Sequence, residues 1–223
     1  MFFTAIMNNT TLLTNTINFV KKTLEGAEGG HDWFHIERVY KNALLIAKTE
    51  KVNTQIVALG ALLHDIADSK FHDGDDTVGP KVAQQFLTSQ NVNQNTIDHV
   101  IKIIENISYK GGNEAQQFKS AELDVVQDAD RLDAIGAIGI ARTFNYGGFK
   151  NRTIYDPEIA PNLKMSNSQY KSSRAPTINH FYEKLLRLKD KMNTKTGLEI
   201  ANQRHLYMEE FLNQFFAEWN GEK

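Results

Sequence analysis

The chain has 223 residues, of which 41% are hydrophobic and 23% charged, with a formal net charge of −2 and no cysteine. The length suits one domain, or one domain with appended helices, and leaves enough apolar residues for a core without staples. The charge excludes a global basic field for nucleic acid or acidic lipid. The missing cysteine excludes disulfides, thiolate zinc sites and a cysteine nucleophile.

The opening "MFFTAIM" is apolar for only a few residues, lacks a basic lead and runs into "NNTTLLTNT". No signal peptide is expected, and no run approaches the ~18 apolar residues of a membrane span. A cytoplasmic protein with neither membrane nor nucleic-acid partner is the expectation. Helical periodicity then dominates. A first helix is expected over about 10–25, ending near Gly26. From His31 to about Lys51, Ile36, Val39, Tyr40, Ala43, Leu44 and Ala47 follow i, i+3, i+4, i+7 spacing. Asn53 or Thr54 can cap a third helix, "QIVALGALLHDIAD". It is apolar nearly all round and is expected to be the central buried helix. Asp76 or Thr77 opens a fourth, with Pro80 tolerable in its first turn, and Asn95 or Thr96 opens a fifth through about Ile107. Ser120 starts a long sixth, "SAELDVVQDADRLDAIGAIGIARTF".

Residues 146–176 differ. They hold three of the four prolines, several glycines and few apolar residues. They read as a long, mostly irregular lid, with "YGG" at Tyr146 to Gly148 as a helix stop and hinge. Thr177 caps a seventh helix, "INHFYEKLLRLKDKMN", and a last helix runs from about Leu198 to Trp219. The reading is an all-α helical bundle forming one domain over 1–223. Its core is about 10–145, its lid about 146–176 and its C-terminal helices about 177–220. The apolar stripe "FLNQFFAEW" can dock on its own core or on a second copy, so the chain is a monomer or a homodimer.

Three expected helices bring imidazole or carboxylate groups into apolar surroundings: His35, then His64 with Asp65, then Asp130 or Asp133. Burying such groups is costly unless they are paired or bound to a metal. Two neutral imidazoles and two carboxylates suit one divalent first-row ion or magnesium: Mn²⁺, Fe²⁺, Ni²⁺ or Mg²⁺. Such an ion makes hydroxide available near neutral pH. His31 lies one turn before His35, and Asp68 follows Asp65 by three residues, so either can take a proton from the attacking water. Asp32 can instead serve the helix N-terminus. Lys70 and Lys110 are candidate phosphate contacts. Arg152, Lys164, Lys171 and Arg174 give the lid a positive excess suited to phosphate groups. Tyr146, Phe149, Tyr155 and Tyr170 can stack on a base. Gly136 and Gly139 are expected to permit close helix packing. His72 and His99 carry no spacing argument.

The order H…HD…D on helices, with "HDWFH" upstream and "DADRLDA" downstream, resembles the HD-domain metal-dependent phosphohydrolases, over roughly residues 31–145. The tail "TINHFYEKLLRL…EW" is similar to a compact bacterial subgroup of them. The resemblance implies an all-α core, with His35, His64, Asp65 and Asp130 as metal ligands. It also implies hydrolysis of a phosphoester or phosphoanhydride. It favours Asp130 over Asp133, leaving Asp133 to accept a hydrogen bond from a ligand imidazole, and it turns His180 and Lys184 toward the cleft. No G-x-S-x-G, G-x-x-x-x-G-K-[ST] or H-E-x-x-H pattern competes. The expected substrate is a phosphorylated small molecule, a nucleoside triphosphate being preferred for the number of lid cations. Two other readings stand beside it: a di-iron oxygenase of the HD type, and a non-enzymatic nucleotide sensor.

Overall fold

The computed structural model describes residues 9–27, 31–67, 75, 77–107, 118–166, 169 and 172–223. The regular elements among them are helical, as the periodicity predicts. The chain divides into two compact units, Met1–Ala129 and Asp130–Lys223.

The first unit is organised around its most apolar helix. Helix α3 (Thr54–Leu63) buries every residue from Ile56 onward. The helices α1 (Asn9–Thr23), α2 (Trp33–Ala47) and α5 (Gln94–Asn106) pack on it, and α4 (Val78–Ser89) packs on α5. Leu59, Leu62 and Leu63 are fully buried, each contributing about 1.5–3 kcal/mol. The other helices are one-sided: α1 buries Leu12, Thr16 and Val20, and α5 buries Ile97, Val100, Ile103 and Ile104. Asn53 caps α3 by accepting from the Gln55 and Ile56 amides. Asn93, rather than Asn95 or Thr96, caps α5 by accepting from Thr96. Thr77 stands at the α4 cap position, with its hydroxyl engaged by Lys81 Nζ at 2.9 Å. Helix α3 stops at Leu63, short of the expected Asp68. The His64 ring takes the Ala61 carbonyl that the helix end leaves over. Helix α6 (Ala121–Asp133) ties back through Gln127, whose amide donates to the Asn106 carbonyl at 2.9 Å. Asn42 reaches the Ala129 carbonyl at 3.5 Å.

The second unit corrects the expected long sixth helix. After α6 the chain turns through Ala134 and Ile135 and restarts as α7 (Gly136–Phe149). Gly136 has φ +75°, and a Cβ on Gly139 would run into the Ala134 carbonyl. Both glycines make the corner, and Gly136 also permits the expected close packing, since a Cβ there would come within 3.0 Å of the Arg204 side chain, whereas Gly139 serves the corner alone. Arginines satisfy the carbonyls freed there: Arg142 Nη1 donates to Asp133 O at 3.2 Å, and Arg204 to Leu132 O. "YGG" is also no hinge. It lies inside α7, and the left-handed residue that ends the helix is Asn151, φ 51°.

The segment after α7 has little regular structure, as expected, but it is strapped down. Thr177 and Ile178 amides donate to Thr153 and Ile154 carbonyls at 2.9 and 3.0 Å. Asn179, 1% exposed, donates to Ile159 O at 2.9 Å, and Glu183 accepts from the Asn162 amide. These ties replace the expected seventh helix by a short α8 (Asn179–Glu183) and two 3₁₀ turns, Leu185–Arg187 and Lys189–Lys191. Helix α9 (Lys195–Trp219), capped by Thr194 on the Gly197 amide, packs on α7. Among the described residues, no helix is long and apolar enough to cross a membrane.

Candidate metal centre

The start of α2 answers why two imidazoles precede a core helix. Asp32 is the N-cap, its Oδ1 accepting from the His35 amide at 3.0 Å, so its carboxylate serves the helix end. His35 then enters the core, 3% exposed. His64 stands at the α3 C-cap, 9% exposed. Asp130, half-buried, lies on α6 directly after Ala129, so the helix that closes the first unit carries it. One ligand atom from each of His35, His64 and Asp130 lies within 4.8 Å of the others. The His35 and His64 rings meet edge-on, centroids 5.4 Å apart.

These donors suit a cation. His64 Nδ1 is 2.8 Å from the Ala61 carbonyl. A carbonyl only accepts, so Nδ1 carries the hydrogen, and Nε2 of the neutral ring is left with its lone pair. Two imidazoles and a carboxylate, brought together from α2, the end of α3 and α6, thus form a group that could hold a divalent ion.

Asp65 follows His64 but lies outside that group of three. Its Oδ2 accepts from His31 Nδ1 at 2.6 Å. Burial raises the Asp65 pKa, but the His31 bond and the imidazoles of His64, His31 and His35 outweigh it and hold the carboxyl below its ordinary value. Asp133, 1% exposed, is paired with Arg142 at 2.6 Å, and Asp130 rather than Asp133 joins the imidazoles. Asp68, Lys70, His72, Lys110, Tyr170 and Lys171 lie outside the described residues. His99 bonds Ser120 Oγ at 2.9 Å, beside Glu122.

The second unit gathers other candidates. His180 is mostly buried beside the cations Lys184 and Arg152. Burial first, then Lys184 and Arg152, push its pKa from 6.5 down to about 3, so the ring is neutral near pH 7. Arg152 donates to the Ser173 carbonyl at 2.7 Å and lies over the Tyr146 ring at 5.5 Å. Lys150 lies over Tyr146 and Phe149, at 5.6 and 4.8 Å. Lys164 and Arg174 are exposed. Sequence reasoning missed Arg142 and Arg204, whose partners are backbone and side-chain oxygens at the α6–α7 corner; no motif marks them. It also missed His205, 6% exposed, with Nε2 3.3 Å from Glu209.

Residues 33–135 match the HD domain family. An HD-superfamily hydrolase from Bacillus thuringiensis is 44% identical, with 96% of this chain and 99% of that one covered and a TM-score of 0.78. A Lactobacillus plantarum protein is 38% identical, with 96% and 100% covered and a TM-score of 0.79. Bacillus subtilis YpgQ is 40% identical over 199 residues, covering 88% of each chain. Aligned by structure, its crystal form in complex with ADP is 33% identical over 95% of this chain and 97% of that one, TM-score 0.73. On these matches the chain belongs to the HD-domain phosphohydrolase superfamily.

Proposed function

We propose that the whole chain acts as one metal-dependent hydrolase on a nucleotide, cutting a phosphoanhydride of a nucleoside triphosphate. One observation carries this reading: His35, His64 and Asp130 present ligand atoms within 4.8 Å of one another. That YpgQ was crystallised with ADP supports a nucleotide.

His35, His64 and Asp130 would hold one divalent ion, with Asp65 as a fourth ligand already ionised by its His31 partner. The bound ion supplies Lewis-acid polarisation of the phosphoryl group and an acidified water. His31 and Asp68 are assigned the proton from that water. Lys70 and Lys110 are assigned the charge that spreads over the phosphoryl oxygens in the transition state. Arg152, Lys164, Lys171, Arg174, His180 and Lys184 are assigned the rest of the phosphate chain. Tyr146, half-exposed with Arg152 beside its ring, is assigned base stacking next to a phosphate contact. Asp133 holds the α6–α7 corner through Arg142, next to the turn that carries Asp130.

The test is a panel. Protein stripped of metal and reloaded with Mn²⁺, Fe²⁺, Ni²⁺, Co²⁺ or Mg²⁺ is incubated with nucleoside triphosphates, diphosphates and simple phosphomonoesters, and products are separated by chromatography. Metal-dependent release of pyrophosphate or orthophosphate from triphosphates is expected. Turnover of monoesters alone, or none with any ion, overturns the substrate assignment.

A further inference from the structure

Tyr155 was a candidate base-stacking ring in the sequence, but its own chain encloses it. Its ring meets Phe215, Phe216 and Trp219 edge-on, with centroids 6.1, 5.2 and 5.0 Å away. All three belong to the last turns of α9, a helix of 25 residues. The row continues inward. Phe215 stacks on Trp219 and lies 6.3 Å from Phe211. Phe211 stacks on Phe181 at 5.8 Å, and Phe181 is fully buried. Phe181 is the chain neighbour of His180. Tyr155 lies three residues from Arg152.

The Arg152 amide is tied to the Gly147 carbonyl of α7 at 2.9 Å, but the arm beyond it lacks regular structure. The arm's long-range hydrogen bonds run to the 173–187 stretch, only part of which is helical. The ring contacts run instead to a long helix rooted in the core. Edge-to-face packing also fixes ring orientation, which a purely aliphatic contact does not. One aromatic row therefore runs from Tyr155, three residues past Arg152, to Phe181, the neighbour of His180.

We propose that Tyr155, boxed by the C-terminal turns of α9, is a positioning residue that holds the arm for nucleotide binding. This rests on the assignment of Arg152 and His180 to the phosphate chain. Tyr155→Leu is expected to raise the KM for nucleotide and the Kd for ADP about tenfold, with kcat within about twofold, because only the arm is misplaced. Tyr155→Phe, which keeps the ring, should restore both constants, and Mn²⁺ affinity should stay at the wild-type value in both variants. Trp219 emission, read in a Trp33→Phe background, should change in Tyr155→Leu and not in Tyr155→Phe. An unchanged ADP Kd and KM in Tyr155→Leu, with altered Trp219 emission, overturns the proposal. Arg152→Ala separates the two layers. If it weakens ADP while Tyr155→Leu does not, the anchor alone fails; if neither does, the phosphate assignment fails and takes the anchor with it. Should Tyr155→Leu not fold, Trp219→Leu removes one half-exposed wall of the box. A rise of about threefold in ADP Kd is then expected, and no rise overturns the anchor.

Discussion

His35 reaches its place on a helix capped by Asp32 and seated against a wholly buried neighbour, whereas Arg152 reaches its place on a strapped segment, held by the Ser173 carbonyl. The two regions answer different demands. A cation needs several lone pairs converging within fractions of an ångström, which packed helices supply. A flexible anion tolerates looser placement, so the second region relies on backbone ties between loosely structured stretches and on ring contacts to α9. The first should respond to substitution all or none, and the second by degrees.

The sharpest way to break that contrast is Asp130→Asn. The amide keeps the shape but loses the charge, so metal affinity and turnover should collapse together, turnover by about 10³-fold or more. Metal titration by calorimetry beside the hydrolysis assay reads both. Retained tight metal binding with lost turnover would take Asp130 off the ligand set and leave it a role in turnover alone. His31→Ala probes the next layer. It removes the bond to Asp65 Oδ2 and an edge contact with the His35 ring, and keeps all three grouped ligands themselves. Metal affinity should fall by about 10–100-fold, the range expected when a partner that orients a ligand is removed. An unchanged affinity would take Asp65 off the ligand set.

These first-region residues were legible because burying imidazole and carboxylate on apolar helices is costly, and a cost shows in sequence. Asp130 could be separated from Asp133 only by motif register or by coordinates: the spacing puts both on one face, and what distinguishes them is Arg142, nine positions on, pairing with Asp133. The corner after α6 was hidden for a related reason. "DAIGAIGIARTF" has strong helix formers, and the arginines that stabilise its break act through Leu132 and Asp133 carbonyls. The seventh helix failed because Thr177, read as its cap, spends its hydroxyl and its amide on Thr153. In each case a tertiary bond outweighed a local preference worth under about 1 kcal/mol per residue.

The smallest effect separates the regions by pH. The His180 pKa falls from 6.5 unfolded to about 3 folded. Above pH 6.5 neither state holds the extra proton, and stability is at its full value. As pH falls through 6.5 toward 3, the unfolded chain takes a proton that the folded one refuses, so stability drops by about 1.4 kcal/mol per unit. Between pH 7 and pH 5 this is about 2 kcal/mol, a figure set by the unfolded value once the folded one lies well below 5. Asp65 behaves oppositely in range. Its carboxyl is held below the ordinary 3.8, so its contribution persists above that value and fades only at lower pH. The arm region should therefore weaken first on acidification, while the Asp65 contribution is still intact. Urea unfolding of wild type and His180→Gln at pH 7, 6 and 5 measures this directly. The stability difference between them should shift by about 2 kcal/mol in favour of the variant. Parallel curves would mean that His180 takes its proton in the folded arm, and that the cations beside it do not act as an uncompensated pair.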